Sequence, residues 1–364
     1  MILVNSISDR VKEKRDKAKL AFDRVLDSGW LILGSETKNF EEKFADYIGV
    51  DYCVGVANGT DALELALLSK GLSAESTVAT VANAGAYATK AIESIGATPL
   101  YMDVDFNTRC VSLDEVKKVA AFVDAVIVTH LYGRMVPEIQ EIVDFCEQSN
   151  VALIEDCAQA HGAATRGKKA GSFASVATFS FYPTKNLGAF GDGGAVVCQC
   201  PKISESLRQL RQYGWSDKYK ISILNGRNSR LDELQAAILV DLLPELDEDN
   251  KRRVEAAKYY NSLIKHSHVY LPELPQEGYV GHLYVVTCRE RDKLKSWLYE
   301  NEIMSDIHYP IPDHLQPTLE HRYADVKLPI TERFANECLT LPLYPEIQRS
   351  QQDRVIESIN SWQI

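Results

Sequence analysis

Between residues 50 and 200 short apolar runs alternate with segments of helical periodicity, and nothing else in the chain constrains its fold as much. The runs are Tyr52–Ala57, Thr77–Ala82, Thr98–Met102, Ala125–Thr129, Val151–Glu155, Val176–Phe181 and Ala195–Cys198. Between them lie segments such as Asp61–Lys70, Leu113–Ala120 and Pro137–Ser149, whose apolar residues fall three and four apart. The alternation predicts an α/β domain with a mainly parallel sheet covered by helices. Ligands of such sheets sit beyond the carboxyl ends of the strands.

A long helical pattern starts near Arg230 with Leu231-Asp232-Glu233-Leu234-Gln235-Ala236-Ala237-Ile238-Leu239 and runs to about Leu263. Pro244 is expected to kink or break it, because proline lacks the amide donor. Beyond residue 268 the pattern changes to a strand at His282–Cys288, a helix at Arg291–Asn301, a proline-punctuated stretch from Tyr309 to Pro317, and a closing helix over Gln352–Trp362. The expected division is a large α/β domain over 1–250 and a smaller α+β domain over 251–364.

Composition narrows the partners. The formal net charge of −11 disfavours nucleic acid or an anionic membrane as the main partner, so an anionic substrate needs a local basic pocket. The eight cysteines show no Cys-x-x-Cys pair or zinc-finger spacing, and no metal is expected. Met1–Ser6 has no basic region leading into an apolar run, and no run of about eighteen apolar residues occurs. The expectation is a cytoplasmic protein.

The chemistry centres on Phe179-Ser180-Phe181-Tyr182-Pro183-Thr184-Lys185-Asn186-Leu187-Gly188, followed by Gly191-Asp192-Gly193-Gly194. Lys185 stands at a strand end among small residues, where backbone can approach a ligand closely. A lysine whose pKa is lowered by burial can form a Schiff base with a carbonyl, and its free amine can then move protons as a general base. Asp156 ends the apolar run Val151–Glu155 and either caps a turn or pairs with a protonated ring nitrogen. An amine and a carboxylate on neighbouring strand ends suit pyridoxal phosphate, whose protonated ring withdraws electrons from a carbanion. Gln159 is placed to bond the ring's phenolic oxygen, while His161 either lines the pocket or is a core or supporting histidine, the latter being favoured.

Asn58-Gly59-Thr60-Asp61 follows the first run and opens a helix, where free N–H groups and a positive dipole end form a natural phosphate seat. Gly59 permits close approach, the Thr60 hydroxyl adds a donor, and Ser180 points the same way if its strand ends there. Tyr87 is a candidate to stack on the pyridine face, or else a core tyrosine. Gly188-x-x-Gly191-x-Gly193 has the wrong spacing for a dinucleotide fingerprint and precedes a strand.

Together these motifs resemble the DegT-like nucleotide-sugar aminotransferases, a branch of the fold-type-I pyridoxal phosphate enzymes. The resemblance also rests on Gly29-Trp30-Leu31-Ile32-Leu33-Gly34, Glu155-Asp156-Cys157-Ala158-Gln159-Ala160-His161-Gly162, Arg211-Gln212-Tyr213-Gly214, Asn228-Ser229-Arg230-Leu231-Asp232-Glu233, and His308-Tyr309-Pro310 with His314. It implies that Lys185 carries the cofactor, Asp156 faces the ring nitrogen, Gln159 the phenolic oxygen, and Gly59, Thr60 and Ser180 the phosphate. It further implies that Asn228 reaches the neighbouring subunit's cofactor phosphate, making a homodimer with shared sites. Tyr182, Tyr213, His308, Tyr309 and His314 become candidates for the sugar or its diphosphate.

Relatives that dehydrate a sugar typically carry histidine where this chain has Lys185, so the resemblance implies transamination. The wording around Lys185 looks most like enzymes that use L-glutamate to aminate C3 of dTDP-3-keto-6-deoxyhexoses. C4 amination is the alternative, and a nicotinamide-dependent sugar oxidoreductase or a non-catalytic sensor are distant ones. Gly85-Ala86-Tyr87 departs from the Thr-Phe or Thr-Trp of many relatives, which leaves the stacking residue open.

Overall fold

The computed structural model describes residues 1–363. Seven strands form one sheet: β1 (Tyr52–Val56), β2 (Thr77–Val81), β3 (Thr98–Met102), β4 (Ala125–Thr129), β5 (Ala152–Asp156), β6 (Val176–Ser180) and β7 (Gly194–Cys198), in the order β1-β7-β6-β5-β4-β2-β3. The pairs β2–β3, β2–β4, β4–β5 and β5–β6 are parallel, and only β7 runs antiparallel to its neighbours β6 and β1. Each expected apolar run is a strand to within a residue at either end.

The strands are continuous apolar runs because both faces are covered. Val54, Val56, Val78, Ile127, Ile154, Val176 and Val196 face one side, against α3 (Gly59–Ser69), α4 (Tyr87–Ser94) and α7 (Pro201–Leu210). Their sequence neighbours Cys53, Ala79, Val126, Val128, Leu153, Ala177 and Val197 face the other, against α2 (Ser35–Ile48), α6 (Ile139–Gln148) and α8 (Glu233–Leu242). Each such side chain withdrawn from water stabilises the fold by roughly 1.5–3 kcal/mol. A long first helix, α1 (Ile7–Ser28), is capped by the Ser6 hydroxyl accepting from Asp9 N and packs on α8.

Pro244 breaks the long helical pattern as expected: α8 ends in a tight turn over Leu243–Glu245, and α9 (Leu246–Leu263) follows. Beyond it lie a strand at Tyr284–Thr287, a helix at Arg291–Glu300 and a closing helix at Arg349–Ser361. A helix at Pro329–Glu337 and a strand at Cys338–Leu341, which pairs antiparallel with Tyr284–Thr287, were not visible in the pattern. A third apolar cluster gathers Ala256, Ala257 and Tyr260 of α9 with Val286, Leu294, Leu339 and Val355. Ile2 is buried in that cluster too, bridged to Ile303, so the first residues also pack against the C-terminal part.

Candidate active site

The carboxyl ends of β1, β4, β5 and β6 converge on a cavity of about 860 Å³. Gly59, Thr60, Tyr87, Asp156, Gln159, Ser180, Tyr182, Lys185, His308 and Tyr309 all line it. Ten of the residues proposed from sequence thus surround one space, although they span 250 positions of the chain.

Three do not reach it. His314 is fully buried elsewhere, its Nε2 3.2 Å from Glu332 Oε1, because the turn at Asp313–Leu315 points it beneath the surface. Tyr213 and Asn228 lie on an outlying strip, where Gln212 bridges to Asn228 and Tyr213 N donates to Arg227 O. His161 is buried between the Phe179 and Phe181 rings and is a core residue, as its sequence setting indicated.

At one end of the cavity, α3 begins right after β1. Asn58 Oδ1 accepts from Asp61 N at 2.8 Å, which leaves the N–H groups of Gly59 and Thr60 without intrahelical acceptors. A Cβ on Gly59 would lie 2.6 Å from Ser180 Cβ, so only glycine lets the helix start this close to the end of β6. Donors from two elements therefore share one small region.

At the other end Asp156 closes β5. Its side chain is buried, Oδ1 accepts from Ala158 N at 3.1 Å, and no cationic group within 4 Å pairs with it among the described residues. Burial raises its pKa, opposed by the Ala158 N–H and by Lys185. A buried carboxylate lacking a paired cation is unfavourable unless a ligand brings one. Gln159 is held by both ends of its amide: Oε1 accepts from Tyr132 N at 2.7 Å, and Nε2 donates to Tyr309 Oη at 3.1 Å.

Lys185 stands in the turn after β6. Burial pulls its pKa down from 10.5 to about 8, against the pull of Asp156. Its loop is pinned by Arg10 of α1, which donates at 3.0 Å to each of the carbonyls of Pro183, Lys185 and Gly188. Asn186 anchors it below through Asn250, Val280 and His282. Neither Arg10 nor His282 was foreseen; an arginine in a charged helix carries no local sign that its acceptors are carbonyls 170 residues away.

The aromatic wall has its own supports. Gly85 has φ +81°, and a Cβ there would meet the Tyr309 ring at 2.8 Å, so both the backbone and the close approach favour glycine. Tyr309 packs edge-on to Tyr87, with ring centroids 6.4 Å apart. Asp313 holds the turn before α4, accepting from Ala86 N at 2.9 Å and from the Thr89 hydroxyl at 2.6 Å. Behind β5, Glu155 accepts from the N–H groups of Gly171, Phe173 and Ala174 and lies 3.0 Å from His130 Nε2, which fixes the crossover into β6.

Comparison with known proteins decides the family. Residues 12–360 match the DegT/DnrJ/EryC1/StrS aminotransferase family. The chain belongs to that family. It is 42% identical over 346 residues to the dTDP-3-amino-3,6-dideoxy-α-D-galactopyranose transaminase of Aneurinibacillus thermoaerophilus, covering 94% of each chain. It is 40% identical over 356 residues to the dTDP-3-amino-3,4,6-trideoxy-α-D-glucose transaminase of Micromonospora megalomicea, covering 95% of each. Its structure superposes on S. venezuelae DesV in complex with a ketimine intermediate with a TM-score of 0.95 at 38% identity, covering 100% of this chain and 98% of that one.

DegT-family aminotransferases use pyridoxal phosphate, and the residues present fit it. The unpaired buried carboxylate suits a ring N–H⁺, the free helix N–H groups and Ser180 suit a phosphate, and the depressed amine suits an aldehyde. No helix among the described residues is long and apolar enough to cross a membrane.

Proposed function

We propose that this aminotransferase moves the amino group of L-glutamate to C3 of a dTDP-3-keto-6-deoxyhexose, giving a dTDP-3-amino-3,6-dideoxyhexose. The observation that carries the reading is the cavity, in which an amine, a carboxylate lacking a paired cation and a helix N-terminus converge in a chain 42% identical to a transaminase named for a 3-amino sugar. When bound, pyridoxal phosphate supplies an electron sink that stabilises negative charge on the carbon bearing the amine.

The chain's own residues do the rest. Lys185 holds the cofactor's aldehyde between turnovers, and its Nζ then takes and returns the proton at the reacting carbon. Asp156 keeps the ring nitrogen protonated, and its unpaired, buried position is the support for that role. Gly59 N–H, Thr60 and Ser180 bind the phosphate, Gln159 the phenolic oxygen, and Tyr87 covers one ring face. Tyr182, His308 and Tyr309 border the space left for the sugar.

We further propose a homodimer with shared sites and a division into units over 1–250 and 251–364. Lys185 is the only lysine or arginine lining the cavity among the described residues, against Asp156, Asp192 and Asp306. A cofactor phosphate and a nucleotide diphosphate need more positive charge and more donors than that. That Asn228 and Tyr213 stand outside this chain's own cavity supports their serving a second copy. Exposed Trp30, Tyr219, Ile221 and Leu224 give such a copy apolar surface to cover.

Purified holoenzyme offered glutamate with a panel of 3-keto and 4-keto dTDP-sugars tests the reading. The expected result is 2-oxoglutarate formation with the 3-keto substrates and a 3-amino product by NMR. Turnover confined to 4-keto sugars would overturn the C3 assignment, and Lys185→Ala turning over normally would overturn the mechanism.

A further inference from the structure

Helix α4 begins without a cap of its own. Its N-cap residue is Ala86, whose methyl group accepts no hydrogen bond, and two left-handed residues lead into the helix, Gly85 at φ +81° and Ala86 at φ +63°. That conformation is open to glycine but unfavourable for alanine, so contacts from outside must hold the turn. A helix start is ordinarily satisfied by a serine, threonine or aspartate at the N-cap, or by a glutamate three residues in that reaches back to the N-cap N–H.

The missing acceptor comes from 227 residues away. Asp313 Oδ1 accepts from Ala86 N at 2.9 Å, as the glutamate of a capping box would, and Oδ2 accepts from the Thr89 hydroxyl at 2.6 Å. The Asp313 N–H donates to Ala82 O at 2.8 Å, one residue past the end of β2. One residue thus grips both ends of the β2–α4 connection. Asp313 is 1% exposed, so water does not compete for these bonds.

Tyr87 is the first residue of α4 and lines the cavity. It is 54% exposed, and the Tyr309 ring meets it edge-on with centroids 6.4 Å apart. So little packing surrounds the ring that its place follows from its backbone, and therefore from the turn that Asp313 clamps. We infer that Asp313 is a positioning residue for Tyr87: by capping α4 from across the fold it fixes where the Tyr87 ring stands in the cavity. This rests on Tyr87 covering one face of the cofactor ring, as in the proposed function, and adds the group that sets its position.

Pyridoxamine phosphate has no aldehyde for Lys185 to hold, so its binding to cofactor-free protein, measured by equilibrium dialysis, reads the packing of the ring. Tyr87→Ala and Asp313→Ala should each weaken that binding about 3- to 10-fold, the range an aromatic contact contributes. The double variant should lose no more than the larger single loss, because both changes remove the same contact. Asp313→Asn keeps an oxygen for the Ala86 N–H and can donate to the Thr89 hydroxyl, so it should bind within about twofold of wild type. Losses that multiply in the double variant, or an asparagine variant as weak as the alanine, refute the inference.

Hydrogen exchange in the cofactor-free protein supplies a second readout. In Asp313→Ala the peptide over residues 83–90 should exchange about tenfold faster or more, while β5 and α9 keep their wild-type rates. Acceleration along the whole chain, or none over 83–90, overturns the role. Should Asp313→Ala not fold, Thr89→Val removes the partner of Oδ2 alone. It should give a smaller loss of pyridoxamine phosphate binding that vanishes in a Tyr87→Ala background, and wild-type binding would count against the clamp. Unchanged binding in Tyr87→Ala overturns both the ring-covering role and the inference built on it, whereas the transaminase reading falls only if Lys185→Ala turns over normally.

Discussion

Replacing Lys185 by methionine should abolish transamination and make the cofactor-free protein more stable. Burial moves the Lys185 pKa from 10.5 to about 8. Each unit is 1.36 kcal/mol between the two protonation states, so holding the ammonium in the fold at neutral pH costs on the order of 3 kcal/mol. Below pH 8 the folded and unfolded chains both keep the proton, and the fold carries the whole cost. From pH 8 to 10.5 only the unfolded chain is protonated, so unfolding takes up a proton and wild-type stability rises with pH. Above 10.5 the cost is gone. Lys185→Met, similar in length and apolar, should therefore exceed wild type by up to about 3 kcal/mol at pH 7, with the gap closing toward pH 10.5. Urea denaturation of cofactor-free proteins at several pH values measures this, since bound cofactor would stabilise the two unequally. A gap that stays flat with pH, or a methionine variant weaker at pH 7, refutes the reasoning.

Gly59→Ala should push α3 away from Ser180, because its Cβ falls 2.6 Å from Ser180 Cβ; cofactor affinity, read by equilibrium dialysis, should drop about tenfold or more, since backbone donors have moved. Glu155→Gln replaces an acceptor of three N–H groups by an amide with one oxygen, and should destabilise the protein by about 3 kcal/mol in denaturant titration. If sites are shared, co-expressing Lys185→Ala and Asn228→Ala subunits should return activity that neither has alone, to about a quarter of wild type for random pairing of a two-fold dimer; an inactive mixture argues that each subunit is self-sufficient.

The sheet was legible because its strands are buried on both faces, so each reads as an unbroken apolar run between periodic segments. The strand at Cys338–Leu341 was not, because four residues after a short helix give no alternation to count and its partner lies 50 residues upstream. Most of the site was legible for a related reason: Asp156, Ser180 and Gly59 mark strand ends or helix starts, where the local sequence itself says where the chain turns. His314 failed that test. It sits in a proline-bounded turn whose direction is set by Glu332, and nothing local announces that contact. Arg10, Asn186 and His282 were missed because their work is done by contacts across the fold.

Those missed contacts explain why the position of Lys185 depends on so much of the chain. Arg10 grips the Lys185 loop from the first helix. Asn186 grips it from α9 and from the segment entering the C-terminal strands. Asn5, next to residues packed with the C-terminal cluster, adds a bond to Thr184 O. A loop rich in turns and small residues would otherwise be among the more mobile parts of the protein. Here it is tied to three distant elements, so a shift of the C-terminal part against the sheet must move Lys185 or break a bond. The Lys185 amine is held in the cavity by the packing of the whole molecule, and the motif around it is only the visible end of that arrangement.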